Sequence, residues 1–99
     1  MNLFEQISTG LDGLNSHALE SVTMLALIDA PGSNVTPARM ITKFNLDAGA
    51  VTDLTTIKAV YDGLSGVNQA KYLSVIVAVM HLYRDGELTE AQARTELAI

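Results

Sequence analysis

Apolar side chains recur along this chain at three- and four-residue intervals, the spacing that lines one face of an α-helix. Leu3, Phe4, Ile7, Leu11 and Leu14 make the first such stripe, on a short helix interrupted by Gly10 and Gly13. Leu19, Val22, Leu25, Ala26 and Ile28 make the second, capped by Asn15 or Ser16 and stopped by Ala30-Pro31-Gly32-Ser33-Asn34. Thr36 before Pro37 starts a third helix. The hydroxyl accepts an orphan backbone donor, and proline at the first helical position forfeits no hydrogen bond. Met40, Ile41 and Phe44 are expected to face inward from it.

Asn45 stands where the chain must reverse and tolerates the left-handed conformation; Leu46 then tucks back into the core and Asp47 caps the next helix. Val51, Leu54, Ile57, Val60 or Tyr61, and Leu64 supply that helix's apolar face until Gly63 and Gly66 end it. From Asn68 or Gln69 the stretch AKYLSVIVAVMHLYR is apolar almost all the way round, as in a helix that is buried centrally or shared with a second subunit. Its Val-Ile-Val-Ala-Val centre also fits a buried strand. Helix is expected, because the run continues to Arg84 and no partner strand is visible. Asp85-Gly86 turns the chain, Thr89 with Gln92 spells a capping box, and a last short helix carries Ala91, Leu97 and Ile99. The expected fold is therefore all-α: one domain over residues 1–99 of five or six helices, with a helix-turn-helix at about 36–64 in its centre and an apolar C-terminal helix.

A chain of 99 residues is long enough for one core but not for two. At 48% apolar it lies well clear of the composition of disordered chains. Without cysteine it holds no disulfide and no thiolate metal site. The start MNLFEQISTGL lacks the basic and continuous apolar parts of a secretory signal, and the longest apolar run, Val75 to Met80, is far short of a membrane span. A cytoplasmic protein with no membrane contact is expected. The net charge of −5 is unevenly spread. Glu5, Asp12, Glu20 and Asp29 come before any lysine or arginine, whereas Arg39, Lys43 and Lys58 balance Asp47, Asp53 and Asp62 across the helix-turn-helix.

The run Thr36-Pro37-Ala38-Arg39, continuing through Phe44-Asn45-Leu46-Asp47-Ala48-Gly49-Ala50-Val51-Thr52-Asp53-Leu54, resembles the helix-turn-helix of the MarR family of transcriptional regulators. Leu25 to Gly32 looks like the helix that packs behind it. The resemblance covers roughly residues 22 to 54; after Gly63-Leu64 the family's basic wing hairpin is replaced by the apolar segment. It implies a recognition helix beginning at Ala48, presented to the major groove by a dimer. Ala48, Gly49, Ala50, Thr52, Asp53 and Thr56 would be its exposed positions, with Arg39, Lys43 and Lys58 near phosphates and Thr52, Asp53 and Thr56 toward base edges.

Two partner classes follow from these features. The first is DNA, bound by a small regulator of transcription. The second is a basic protein, met by an acidic protein-protein interaction module, an inhibitor or adaptor of the kind mobile elements encode, that keeps the helical scaffold without binding DNA and uses Glu5, Asp12 and Glu20. A homodimer is expected, through the apolar segment, the acidic N-terminal helices, or both, and Tyr72, Val75, Ile76, Val79 and Tyr83 on the apolar segment are its candidate interface. His81 within that segment reads as a packed residue with one hydrogen bond, and His17 belongs to no motif. Aligning Gly86 with the glycine of a calcium loop puts His81 and Tyr83 at acidic-ligand positions and Gln92 at the bidentate glutamate, so no calcium site is expected. Asn34-Val35-Thr36 matches a glycosylation acceptor by chance, given no secretory signal. No nucleophile with its base, paired carboxylate or phosphate-cradling loop is present, and neither catalysis, a metal nor a cofactor is expected.

Overall fold

A computed structural model describes residues 1–9, 19–20, 23–24 and 31–99. Among them every regular element is helical, so the chain is all-α. The helices are α1 (Leu3–Thr9), α2 (Pro37–Lys43), α3 (Ala48–Asp62), α4 (Gly66–Arg84) and α5 (Glu90–Leu97). Leu19, Glu20, Thr23 and Met24 are helical too, and the buried Thr23 hydroxyl donates to the Leu19 carbonyl. The stripe positions Leu11, Leu14, Val22, Leu25, Ala26 and Ile28, together with Asp12, His17 and Asp29, lie outside the described residues.

Local hydrogen bonds explain where three of the helices begin. Asn2 and Glu5 cap α1 reciprocally: the Glu5 amide donates to Asn2 Oδ1 at 2.8 Å and the Asn2 amide to Glu5 Oε1 at 3.1 Å. Thr36 Oγ1 accepts from the Arg39 amide, with Pro37 at the first helical position of α2. Thr89 and Gln92 form the expected capping box on α5.

Three helices also end in one way. The Asn45 amide bonds Thr42 O and the Leu46 amide bonds Ile41 O, around a left-handed Asn45 at φ 52°. The same pair of bonds closes α4 around Gly86 at φ 79° and α5 around Ala98 at φ 58°. This arrangement satisfies carbonyls that a helix end would otherwise strand. It demands a residue at ease with positive φ, which Gly86 and Asn45 are and Ala98 is not.

The core joins Leu3, Phe4 and Ile7 of α1 to Leu19, to Ala50, Leu54 and Ile57 of α3, and to Ile76, Val79 and Met80 of α4, with Ala93 and Leu97 of α5 closing it. The helix pair α4 and α5 forms an antiparallel hairpin, and α1 lies on α3. That second contact is close. A Cβ on Gly49 would stand 2.7 Å from the Met1 carbonyl oxygen, so only glycine lets the N-terminal segment cross α3 there.

Several expectations are corrected. The apolar segment is a helix as expected, but it begins at Gly66 rather than at Asn68 or Gln69. Gly66 therefore opens α4 and does not end α3. Helix α2 buries no residue completely; Met40, Ile41 and Phe44 are half-buried. Asp47 occupies the cap position of α3 without making a side-chain cap bond, because its carboxylate instead binds the N-terminal amine at 2.9 Å. In α5 the inward residue is Ala93, while Ala91 is exposed.

Candidate nucleic-acid interface

The α2–turn–α3 unit exposes polar side chains on both of its helices. Successive residues of a helix advance by 100°, so Ala48, Thr52, Thr55, Thr56 and Ala59 share the outward stripe of α3, and all five are exposed. The three threonine hydroxyls donate to carbonyls one turn back: Thr52 to Ala48 O at 3.0 Å, Thr55 to Val51 O at 2.9 Å and Thr56 to Thr52 O at 3.0 Å. The hydroxyl protons are thereby tied to the helix backbone at three exposed positions. Thr55 was not among the expected contact residues, although it sits one turn from Thr52.

Three cations lie on these two helices, Arg39 and Lys43 on the side of α2 opposite the Pro37 and Ile41 that face α3. Arg39 is exposed on α2, its Nη1 donating to Asn34 O at 3.0 Å, and Lys43 is exposed in the last turn of the same helix. Lys58, half-buried, pairs with Asp62 at 3.4 Å one turn along α3. Pro37, Ile41, Val51, Leu54, Thr55 and Lys58 line a small apolar cleft of about 100 Å³ between α2 and α3.

Asp53 is the principal correction. It retains only 8% exposure and points into the protein with Ala50, so neither residue belongs to an outward reading face; Gly49 is half-buried. The Asp53 carboxylate receives both Nη atoms of Arg94 at 3.1 Å, and Oδ2 also accepts the Leu3 amide at 3.1 Å. Hydrogen bonding to Asp53, followed by its charge, raises the Arg94 pKa further above its ordinary value. The guanidinium lies 5.0 Å over the Phe4 ring, and its Nε is 3.7 Å from Glu90 Oε2. Glu90 Oε1 in turn accepts from Asn2 Nδ2. One polar clasp thus ties α1, α3 and α5 together. The signal for it was available in the register of α3, because position 53 falls on the stripe of Ala50, Leu54 and Ile57.

A second long-range contact holds the start of α3. The Asp47 amide donates to Oε1 of the fully buried Gln6 at 3.0 Å, while Gln6 Nε2 has no hydrogen-bond partner. Gln6 supplies the acceptor that anchors this end of the turn.

The candidate subunit interface divides. Tyr72, Ile76 and Val79 are buried in the chain's own core, which leaves them no surface for a second copy; Val75 and Tyr83 are half-buried. Tyr83 packs edge-on to Phe4 at 5.2 Å and shares a 2.7 Å hydrogen bond with Ser8, and Tyr72 donates to Leu97 O at 2.7 Å. Burial pushes the Tyr72 phenol up to about 12. The acidic surface expected at Glu5, Asp12 and Glu20 is also reduced. Glu5 is engaged in the α1 cap, Asp12 is not described, and Glu20 is buried with Oε1 3.2 Å from His81 Nε2. His81 thus has a partner, but its side chain is 35% exposed rather than packed in the core.

Among the described residues no cluster of three or more His, Cys, Asp or Glu is placed to hold a metal ion, and no helix is long and apolar enough to cross a membrane. The chain matches no protein-family model, no curated protein and no solved structure. The MarR resemblance therefore rests on residues 22–54 alone.

Proposed function

We propose that this protein is a small helix-turn-helix DNA-binding regulator of transcription that acts as a homodimer and lays α3 in the major groove. The observation that carries the proposal is the inward turn of Asp53. With that carboxylate committed to Arg94, the outward stripe from Ala48 to Ala59 bears no acid, offers three threonines and ends at the Lys58–Asp62 pair, while Arg39 and Lys43 are exposed on α2. An acid on this stripe would repel phosphates. Threonine hydroxyls bond base edges and their methyl groups pack on thymine. The capped α2, the left-handed Asn45 and the short link to Ala48 supply the geometry such readers use. Arg39 and Lys43 meet phosphates, and Thr52, Thr55 and Thr56 face bases.

The charge is small, so binding is weak without sequence recognition and its salt dependence has a low ceiling. Arg39, Lys43 and Lys58 from two copies set a ceiling of about −5 on the slope of log affinity against log salt, at about −0.9 per phosphate neutralised. Fluorescence anisotropy with a labelled duplex measures that slope. Substituting Arg39→Ala and Lys43→Ala together should flatten it by about 3.6 on the same basis. No measurable duplex affinity at low salt would overturn the proposal.

A further inference from the structure

We infer that the outward stripe of α3 selects A·T pairs over G·C pairs, through contact with the C5-methyl group of thymine. This rests on the proposed function and deepens it by naming the class of base pair that Thr52, Thr55 and Thr56 face. The stripe is Ala48, Thr52, Thr55, Thr56 and Ala59, all exposed, so its side chains bring five methyl groups and three hydroxyls and no other functional group. Each hydroxyl has one proton to give. Each gives it to a backbone carbonyl one turn back, at 3.0 Å from Thr52, 2.9 Å from Thr55 and 3.0 Å from Thr56. What is left for a base is acceptor capacity and methyl surface.

The four bases differ in what they show to such a surface. In the major groove guanine presents two acceptors, N7 and O6, and no donor. A stripe that only accepts leaves both without a partner, and polar groups desolvated without a partner cost binding. Adenine presents its N6 amino group as a donor, and thymine presents a methyl group that packs on those of threonine and alanine. Cytosine has an amino donor but no methyl, and it comes paired with guanine. The side chains that commonly read guanine, arginine and lysine, are not on the stripe. Lys58, the cation of α3, pairs with Asp62 at 3.4 Å, and Arg39 donates to Asn34 O from the side of α2 opposite α3.

Fluorescence anisotropy at low salt tests the inference with four labelled alternating duplexes: (dA-dT), (dA-dU), (dG-dC), and (dG-dC) carrying 5-methylcytosine. The (dA-dT) duplex should bind most tightly. Uracil lacks only the C5-methyl group, so (dA-dU) should lose about fourfold in affinity for each methyl taken out of contact. Methylated cytosine restores a methyl at that position and should bind more tightly than cytosine. Two triple variants separate methyl from hydroxyl. Thr52→Ser, Thr55→Ser and Thr56→Ser together keep the hydroxyls and should remove most of the preference for thymine over uracil. Thr52→Val, Thr55→Val and Thr56→Val together keep the methyls and should retain it. Far-ultraviolet circular dichroism verifies folding of both. Equal affinity for (dA-dT) and (dA-dU), or an undiminished preference in the serine variant, would overturn the inference and leave DNA binding standing. Failure of every duplex to bind would overturn the proposed function together with it.

Discussion

Helices α3 and α4 are the two long helices of the described structure, and their outward faces differ in kind. On α3 the outer stripe is threonine and alanine, while the single mid-helix acid is turned inward and held by Arg94. On α4 the inner face is apolar and so is much of the outer face. A polar anchor inside with a polar stripe outside suits a helix that must meet a hydrated, charged partner in a set orientation. Apolar residues on both faces suit a helix that belongs to a core and lends its other side to a second apolar surface. The anchoring differs in place rather than in kind: α1 and α5 hold α3 through hydrogen bonds at Asp53 and Asp47, whereas α4 is tied from its flanks by Tyr72 to α5, Tyr83 to Ser8 of α1 and Gln69 to Tyr61 O of α3.

The contrast breaks hardest on the inner faces. Ile76→Ala should destabilise the fold by about 3 kcal/mol, through lost transfer energy and the cavity left behind, read as a lower urea midpoint at constant slope. Its neighbour Val77→Ala should change stability by less than about 0.5 kcal/mol, as an outward position does. Equal losses at the two positions would mean that α4 has no free face.

Next in size is the clasp. Asp53→Ala should cost about 3 kcal/mol, since removing one partner of a largely buried pair strands the other and leaves the Leu3 amide without an acceptor. Thr52→Ala, one residue away but outward, should be nearly neutral for stability while weakening DNA binding. If Asp53→Ala is neutral, the account of how α3 is oriented fails.

Tyr72 supplies a smaller, pH-dependent effect. Burial raises its folded pKa from the model-compound value of 10.0 to about 12. Between these values the folded state keeps a proton that the unfolded state has released. The contribution is therefore fully present below pH 10 and is lost as pH rises toward 12. Tyr72→Phe should remove this part of the alkaline decline and lower neutral-pH stability by about 1 kcal/mol through the lost hydrogen bond to Leu97 O. The smallest effect is expected at the C-terminal turn, where Ala98→Gly should relieve the left-handed strain and raise stability by up to about 1 kcal/mol.

What was legible in the sequence was what short-range chemistry dictates. Thr36-Pro37, Asn45 and Thr89 with Gln92 declare helix ends because their partners lie within a few residues, and each does what it declares. Asp47 misled for the opposite reason: its carboxylate is taken by the N-terminal amine and its amide by Gln6, 41 residues earlier. Asp53 likewise depends on Arg94, 41 residues away, and on Leu3, 50 residues away. Tyr72, Ile76 and Val79 read as interface residues and face the chain's own core instead, because a helix apolar on both faces carries little periodic signal. Neighbours choose which side is buried, and those neighbours are α1, α3 and α5.

The most direct test of the central contrast is a titration of the isotope-labelled protein with a short duplex at low salt, followed by amide chemical shifts. The shifts should concentrate at Arg39, Lys43, Thr52, Thr55, Thr56 and Ala59 and spare Val67, Ser74 and Ala78. An unresponsive spectrum, or shifts centred on the outer face of α4, would contradict the account.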